Sequence, residues 1–275
     1  MKEVTFGQYY PSASVMHKMN AAVKILLIIA YMVAVFMVDY FHFLGFFACL
    51  FLVVVATIIA KVPFGKVLKS VKGILFFVLL SSILQVFFNK QGTPLWEGGF
   101  ITDQGLLSAL FISVRIILIV LGASLLTLTT SPVELADGIE TLLYPLKWIK
   151  FPVHEFALIM SIALRFIPTL LDETDRIIKA QKARGANFET GNIFKRAKAL
   201  IPVLIPLLIS SFRRADELAD AMDARCYAGS KQRTKYKKNT LGWGDLIGTL
   251  VVAGLIVGVV FLNKFYLYNY LVAWL

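Results

Sequence analysis

The chain has 275 residues, 58% of them hydrophobic and 16% charged, with a formal net charge of +11 and a mean hydropathy of +0.75. Soluble domains are about 25% charged and about 45–50% apolar, so a purely water-soluble globule is excluded and lipid is the expected solvent. The basic excess falls between apolar runs, with no aromatic-rich basic groove, which marks membrane sidedness and argues against nucleic acid as a partner.

The first twenty residues are too long and too polar for the leading part of a cleaved secretory signal, and no A-x-A site follows the first apolar run. A hydrocarbon core about 30 Å thick takes about 20 apolar residues as a helix. Ile25–Val38 is uncharged, and Ala21–Lys24 can extend it, with Lys24 snorkelling to the headgroups. Tyr40–Ala60 and Gly73–Asn89 follow. Gly105–Thr130 is apolar except for Arg115, which either contacts a partner or an internal acid or is satisfied by neighbouring carbonyls or water. Leu246–Asn263 is the last clear span. Phe265–Leu275 either extends that helix or lies in the membrane interface.

Charge orients these spans. The connection Lys61–Lys72 holds four lysines and no acid, which places it in the cytoplasm; Asp39–His42 and Asn89–Gln104 read as outside. The N-terminus is then inside, the C-terminus outside, and Ser131–Asp245 cytoplasmic. The expected organisation is a membrane domain over 1–130, a cytoplasmic region over 131–240, and a final span with its tail over 241–275.

The cytoplasmic region is patterned as helix. Ser131-Pro132 before Val133 and Glu134 is a helix start. Leu135, Ile139, Leu142 and Leu143 form one stripe, and Pro145 ends or bends it. Pro152–Arg184 reads as one long helix interrupted only by Pro168, roughly 50 Å at about 1.5 Å per residue. In its charged half Asp172 and Arg176, then Asp175 and Lys179, are four apart in the favourable order. Gly185 follows as a left-handed cap. A second long helix runs from about Ile193 to Cys226, strained early by Pro202 and Pro206, with Ala215, Leu218, Ala219, Met222 and Cys226 on one stripe. Each helix begins apolar, becomes charged, and ends in a triplet: Ala183-Arg184-Gly185 and Ala224-Arg225-Cys226. The glycine-cap argument does not extend to Cys226. The apolar stretches Phe156–Leu164 and Leu200–Phe212 are short for a span. They are expected at the membrane surface, against other helices, or as a hairpin dipping into the bilayer.

Catalytic signatures are missing. The sequence has no G-x-x-x-x-G-K-[ST], H-E-x-x-H, C-x-x-C or G-x-S-x-G. His17, His42 and His154 have no metal-ligand spacing, and Cys49 and Cys226 lie in unlike environments, against a disulfide. A membrane enzyme using His17 or Glu155 as a base, and a self-sufficient permease, stand as alternatives to a scaffold. The permease lacks the repeated halves and midplane polar breaks that secondary transporters carry.

Several blocks resemble a known family. Gln8-Tyr9-Tyr10-Pro11, Ser14, His17 and Lys24 look like the N-terminal signature of the transmembrane T component of energy-coupling factor (ECF) transporters. Asn20-Ala21 stands where that family has Asp-Pro. Thr127–Pro132 with Glu134-Leu135-Ala136-Asp137 is similar to its first cytoplasmic helix. Ala163–Thr169 leads into Leu171-Asp172-Glu173 and Gln181–Gly185; Arg214–Leu218 leads into Ala224–Tyr227. The resemblance implies an all-α integral membrane protein. It would have about five transmembrane helices, with long cytoplasmic coupling helices between the fourth and fifth. The implied role is a non-catalytic scaffold in a bacterial cell membrane, joining two ABC-type ATPases to a substrate-binding S component for uptake of vitamins or other micronutrients. It implies no cofactor on this chain, with ATP and Mg on the ATPases. Ala183, Arg184, Gly185, Ala224, Arg225 and Cys226 would dock the ATPases. Phe156, Leu158, Ile159, Leu164, Leu200 and Leu204 would face the S component.

Overall fold

The computed structural model describes residues 9–39, 43–89, 93, 102–149, 151–186, 188, 192–227, 229 and 242–272. They are helical almost throughout: α1 (Val15–Lys18), α2 (Ala21–Met37), α3 (Phe43–Ala60), α4 (Phe64–Phe88), α5 (Asp103–Thr129), α6 (Pro132–Leu143), a 3-10 turn (Tyr144–Ile149), α7 (Val153–Ala183), α8 (Ile193–Ala224) and α9 (Trp243–Val272). The chain divides into two compact units. One holds Thr5–Leu142 and Asn239–Leu275; the other holds Leu143–Lys238.

In the first unit, α5 packs against α4, α2 and α3, and α9 packs along α2. Its core includes Tyr31, Val35, Phe46, Cys49, Val53, Phe111, Leu118, Leu125, Leu128 and Val259. The Tyr31 ring rests against Gly122 so closely that a Cβ there would overlap it, which is why α5 has no side chain at that point.

Polar contacts fix both ends of α2. At its start the Asn20 side chain accepts from the Ala22 N–H (3.0 Å), and the buried Asp245 carboxylate of α9 accepts from the Asn20 N–H (2.9 Å) and the Gly242 N–H (2.8 Å). At its far end the Asn263 amide donates to the Met37 carbonyl (2.6 Å), and Arg115 donates to the Val38 carbonyl. Arg115 also lies 5.7 Å from the Phe46 ring centroid. Helix ends leave carbonyls unsatisfied, and a cation there is favoured by the dipole. A neighbouring carbonyl, foreseen as one way to satisfy Arg115, is therefore a partner it uses. α2 and α9 run parallel.

The sequence reading of Lys24 needs correction. It does not snorkel. It is 4% exposed and donates to the Thr129 carbonyl (3.2 Å), Thr130 Oγ1 (3.3 Å) and the His17 carbonyl (3.4 Å). Nearby, Tyr10 N–H donates to the Leu128 carbonyl (3.0 Å), and Ser12 donates to the Ala60 carbonyl (2.8 Å). The His17 ring reaches Ser14 Oγ (2.7 Å) and the Tyr10 carbonyl (2.9 Å). These bonds bring the starts of α2 and α9 to the ends of α3 and α5. The N-terminal signature is thus a polar knot closing one end of the bundle. Lys66 joins it, 4.1 Å over the Tyr10 ring.

Two boundaries also differ from expectation. The lysine connection is largely helix, because α4 begins at Phe64 and nothing between Gly65 and Gly73 breaks it. Among the described residues five helices are long and apolar enough to cross a membrane: Phe43–Ala60, Phe64–Phe88, Asp103–Thr129, Val153–Ala183 and Trp243–Lys264; Ala21–Met37 is a shorter apolar helix. The number agrees with expectation, with α7 in the set by length and composition. α2 has 17 residues, at the lower end of the range of about 17–25 that crosses a bilayer, and α7 continues through Pro168 and so carries a longer apolar stretch than Phe156–Leu164 alone. α9 extends the last span to Val272.

Helix α6 starts as read. Ser131 Oγ accepts from the Glu134 N–H (3.3 Å), and the Glu134 carboxylate accepts from the Ser131 N–H (3.1 Å), a reciprocal capping box. A Cβ on Gly138 would lie 3.0 Å from Ala21, so α6 lies close against the start of α2.

Candidate functional site

The second unit is built on α7 and α8. They contain 31 and 32 residues, each about 47 Å long at 1.5 Å per residue. Pro168 lies inside α7, and Pro202 and Pro206 inside α8, so all three are accommodated without ending a helix. The helices meet at a clasp. Glu173 of α7 accepts from the Ser210 hydroxyl (2.5 Å) and from an Arg214 guanidinium N–H (2.7 Å), both on α8. The pair is partly shielded, with side-chain exposures of 31% for Arg214 and 24% for Glu173. Bonds to ionised partners are shorter and stronger than neutral ones. The sequence blocks contained both residues, but neither was assigned a role. Their signal was an acid and an arginine at corresponding places where each helix changes from apolar to charged. Asp172, Asp175, Arg176 and Lys179 remain on the exposed surface.

Beyond the clasp both helices end in the same backbone motif. At the end of α7, Ala186 N–H donates to the Gln181 carbonyl (3.0 Å) and Gly185 N–H to the Lys182 carbonyl (3.0 Å). At the end of α8, Tyr227 N–H donates to the Met222 carbonyl (3.1 Å) and Cys226 N–H to the Asp223 carbonyl (2.9 Å). Both pairs are the six-to-one and five-to-two bonds of a Schellman cap. Gly185 has φ +90° and Cys226 has φ +56°. Cys226 therefore takes the left-handed conformation that its residue type does not favour, and the cap that glycine signals at 185 is present at 226 as well. Arg184 and Arg225 each occupy the position just before the left-handed residue, and both are exposed. Arg184 lies eleven residues after Glu173, and Arg225 eleven residues after Arg214.

On the other side of the clasp the surface is apolar. Ile159 is 64% exposed, Leu204 60%, Leu200 46% and Phe156 38%, while Leu158 and Leu164 are half-buried. Leu170, Thr174, Leu204, Ile205, Leu207, Leu208 and Ser211 line an open groove of about 480 Å³ between the two helices. Ile201, Ile209 and Phe212 add further exposed area. So much contiguous apolar surface marks a protein or membrane contact. Four of the six residues expected to face an S component are well exposed, and the six arginine-triplet residues are exposed too. Among the described residues no group of three His, Cys, Asp or Glu side chains is arranged to hold a metal ion.

Similarity to known proteins covers nearly the whole chain. Residues 12–236 match the cobalt transport protein (CbiQ) family. The energy-coupling factor transporter transmembrane protein of Ruminiclostridium cellulolyticum is 49% identical over 240 residues, covering 86% of this chain and 89% of the relative. Those of Clostridium kluyveri and Acidaminococcus fermentans are 46% identical over 253 residues (91% and 93% covered) and 47% identical over 269 residues (96% and 98% covered). With its apolar helix bundle and near full-length similarity, the chain belongs to the family of ECF transporter transmembrane proteins, the T components.

Proposed function

We propose that this chain is the non-catalytic coupling subunit of an ECF-type importer, with Arg184 and Arg225 each seated in a groove of one of two ABC-type ATPases. The observation that carries this reading is the matched pair of capped helix ends, each presenting an exposed arginine at the same place. A guanidinium pairs bidentately with carboxylate even when partly desolvated. The left-handed turn bends the following chain away, so the arginine stands at a true tip. Gly185 and the small Cys226 leave room for close approach.

The apolar halves of α7 and α8, through Phe156, Leu158, Ile159, Leu164, Leu200 and Leu204, would carry the membrane-embedded S component that selects a vitamin or other micronutrient. ATP and Mg belong to the ATPases. The clasp supplies a fulcrum. From Glu173 or Arg214 to the arginine is about 16 Å of rigid helix, so closure of the ATPase pair would turn each arm about the clasp and move the apolar half. The basic knot end of the bundle, with Lys66, Lys69 and Lys72 on α4, would face the cytoplasm, as would the N-terminus and residues 131–240.

The test is copurification. Tagged wild-type chain should bring down two nucleotide-binding subunits. Reversal of either arginine, Arg184→Glu or Arg225→Glu, should weaken ATPase binding at least about thirtyfold, the effect of about 2 kcal/mol when a desolvated charge pair loses one partner. Full ATPase recovery by the double variant would sink the docking role. ATP-independent transport by the chain alone in liposomes would favour the permease.

A further inference from the structure

The turn joining α6 to α7 carries the most exposed large apolar side chain among the described residues, Trp148, at 95%. This turn is built. The 3-10 segment Tyr144–Ile149 is closed where Phe151 N–H donates to the Leu146 carbonyl (3.4 Å) and Val153 N–H donates to the Phe151 carbonyl (2.8 Å). Val153, the first residue of α7, is buried, and the turn packs against that helix. The indole therefore projects from a held bend. Beside it, Tyr144 is 62% exposed, Phe151 41% and Leu146 38%.

Along the sequence, the charge of the turn has one sign. From Tyr144 to His154 the sequence has Lys147 and Lys150 and no acid; the next acid is Glu155, in the first turn of α7. The Lys147 ammonium lies 5.8 Å from the Tyr144 ring centroid, so cation and aromatic sit together. Tryptophan and tyrosine concentrate where acyl chains meet headgroups, and lysine stems lie along apolar surface while their ammonium reaches the phosphates. Protein interfaces also favour tryptophan, but they are depleted in lysine, and here Lys147 and Lys150 flank Trp148 in the sequence.

We infer that this turn is an interfacial membrane anchor. Trp148 inserts into the headgroup layer of an anionic bilayer and Lys147 pairs with lipid phosphate, with the charge of Lys150, the next lysine in the sequence, adding to the attraction. The start of α7 is then held at the membrane surface, whichever partner takes the arginine tips.

The experiment uses the full chain with Trp96→Phe, Trp243→Phe and Trp274→Phe, leaving Trp148 as the one indole. It is reconstituted in phosphatidylcholine vesicles with or without phosphatidylglycerol, with acyl chains brominated near their headgroup end. The expected result is a blue-shifted emission, most of which is lost to the bromines in anionic vesicles. That quenching should diminish when Lys147→Gln and Lys150→Gln are added. If the triple variant does not reconstitute, Trp148→Cys carrying an environment-sensitive dye, in a Cys49→Ala, Cys226→Ser background, reads the same depth. Water-like, unquenched emission in both vesicle types overturns the anchor. So does a blue shift that appears only when ATPase or S subunits are added, because the indole would then be covered by protein.

Discussion

Helices α7 and α8 agree in shape and disagree in charge. Both carry an apolar stretch ahead of the clasp, accommodate internal proline, meet at the Glu173–Arg214 clasp and end in a Schellman cap with an exposed arginine. Past the clasp, α7 carries Asp175 against Arg176, Lys179, Lys182 and Arg184. α8 carries Asp216, Glu217, Asp220 and Asp223 against Arg225 alone. At the clasp the signs are reversed, with the acid on α7 and the arginine on α8. The difference separates two jobs. Backbone geometry sets where a tip can go, and the surrounding charge sets which surface will accept it. A net basic tip and a net acidic tip suit grooves of opposite sign, so the two docking sites would not be interchangeable.

The strongest way to break this comparison is to make the two tips alike. Asp220→Lys with Asp223→Lys turns the α8 tip basic and leaves Arg225 and the cap in place. Binding of the ATPase that takes α8 should fall by several kcal/mol, because like charges face each other across the contact, while the ATPase on α7 stays bound. Lys179→Glu with Lys182→Glu should give the mirror result. Both losses should shrink as salt rises, since the Debye length falls from about 10 Å at 0.1 M to about 3 Å at 1 M. Subunit-resolved copurification at two salt concentrations measures this. Equal loss of both ATPases in either variant would mean that the tips do not choose between partners.

A smaller effect sharpens the shared half of the comparison. Gly185 and Cys226 occupy the same left-handed position, where a residue with a Cβ is disfavoured by about 1–2 kcal/mol. Gly185→Ala should destabilise the α7 end by about that amount. No side chain crowds the position, so the cost is backbone strain. Cys226→Gly should stabilise the α8 end by up to about 1 kcal/mol, part of the relief being offset by the entropy glycine loses on folding. Hydrogen exchange of the last turn of each helix reads both. A destabilising Cys226→Gly would show that the thiol itself is needed there.

The membrane helices were legible because long uncharged runs have few readings in lipid. Helix α6 was legible because its capping box is local, Ser131 to Glu134. What escaped was long-range. Lys24 looked like a snorkelling cation because its acceptors, Thr129 and Thr130, stand more than one hundred residues away. Asp245 was read only as the end of the cytoplasmic segment, yet it is buried and accepts from the Asn20 N–H. The lysine connection Lys61–Lys72 was read by its charge, and charge reports the side of the membrane, not whether the backbone is helical. Cys226 escaped for a different reason: residue preference argued against the conformation it adopts, and the context of an otherwise complete cap outweighed it. The positions of Arg184 and Arg225 could be read from triplets at helix ends. Glu173 and Arg214 were visible as residues but not as a pair, since nothing local joins α7 to α8.

That pair gives the finest test of the comparison. If the clasp is a fulcrum, its contribution to stability and its contribution to coupling should separate. Glu173→Gln and Arg214→Gln, combined in a double-mutant cycle, should yield a stability coupling of only about 1 kcal/mol, because the pair is partly exposed and solvent screens it. Both subunits should still bind, since Arg184 and Arg225 lie eleven residues away on intact helix. Transport per ATP hydrolysed should nevertheless fall in each single variant, because the arms can then slip past each other instead of turning together. Charge inversion, Glu173→Arg with Arg214→Glu, rebuilds the pair in the opposite sense and should restore transport. Rescue by that swap would tie coupling to the pairing itself; unchanged transport in the single variants would leave the clasp as a packing contact, and the two arms would have to be moved independently.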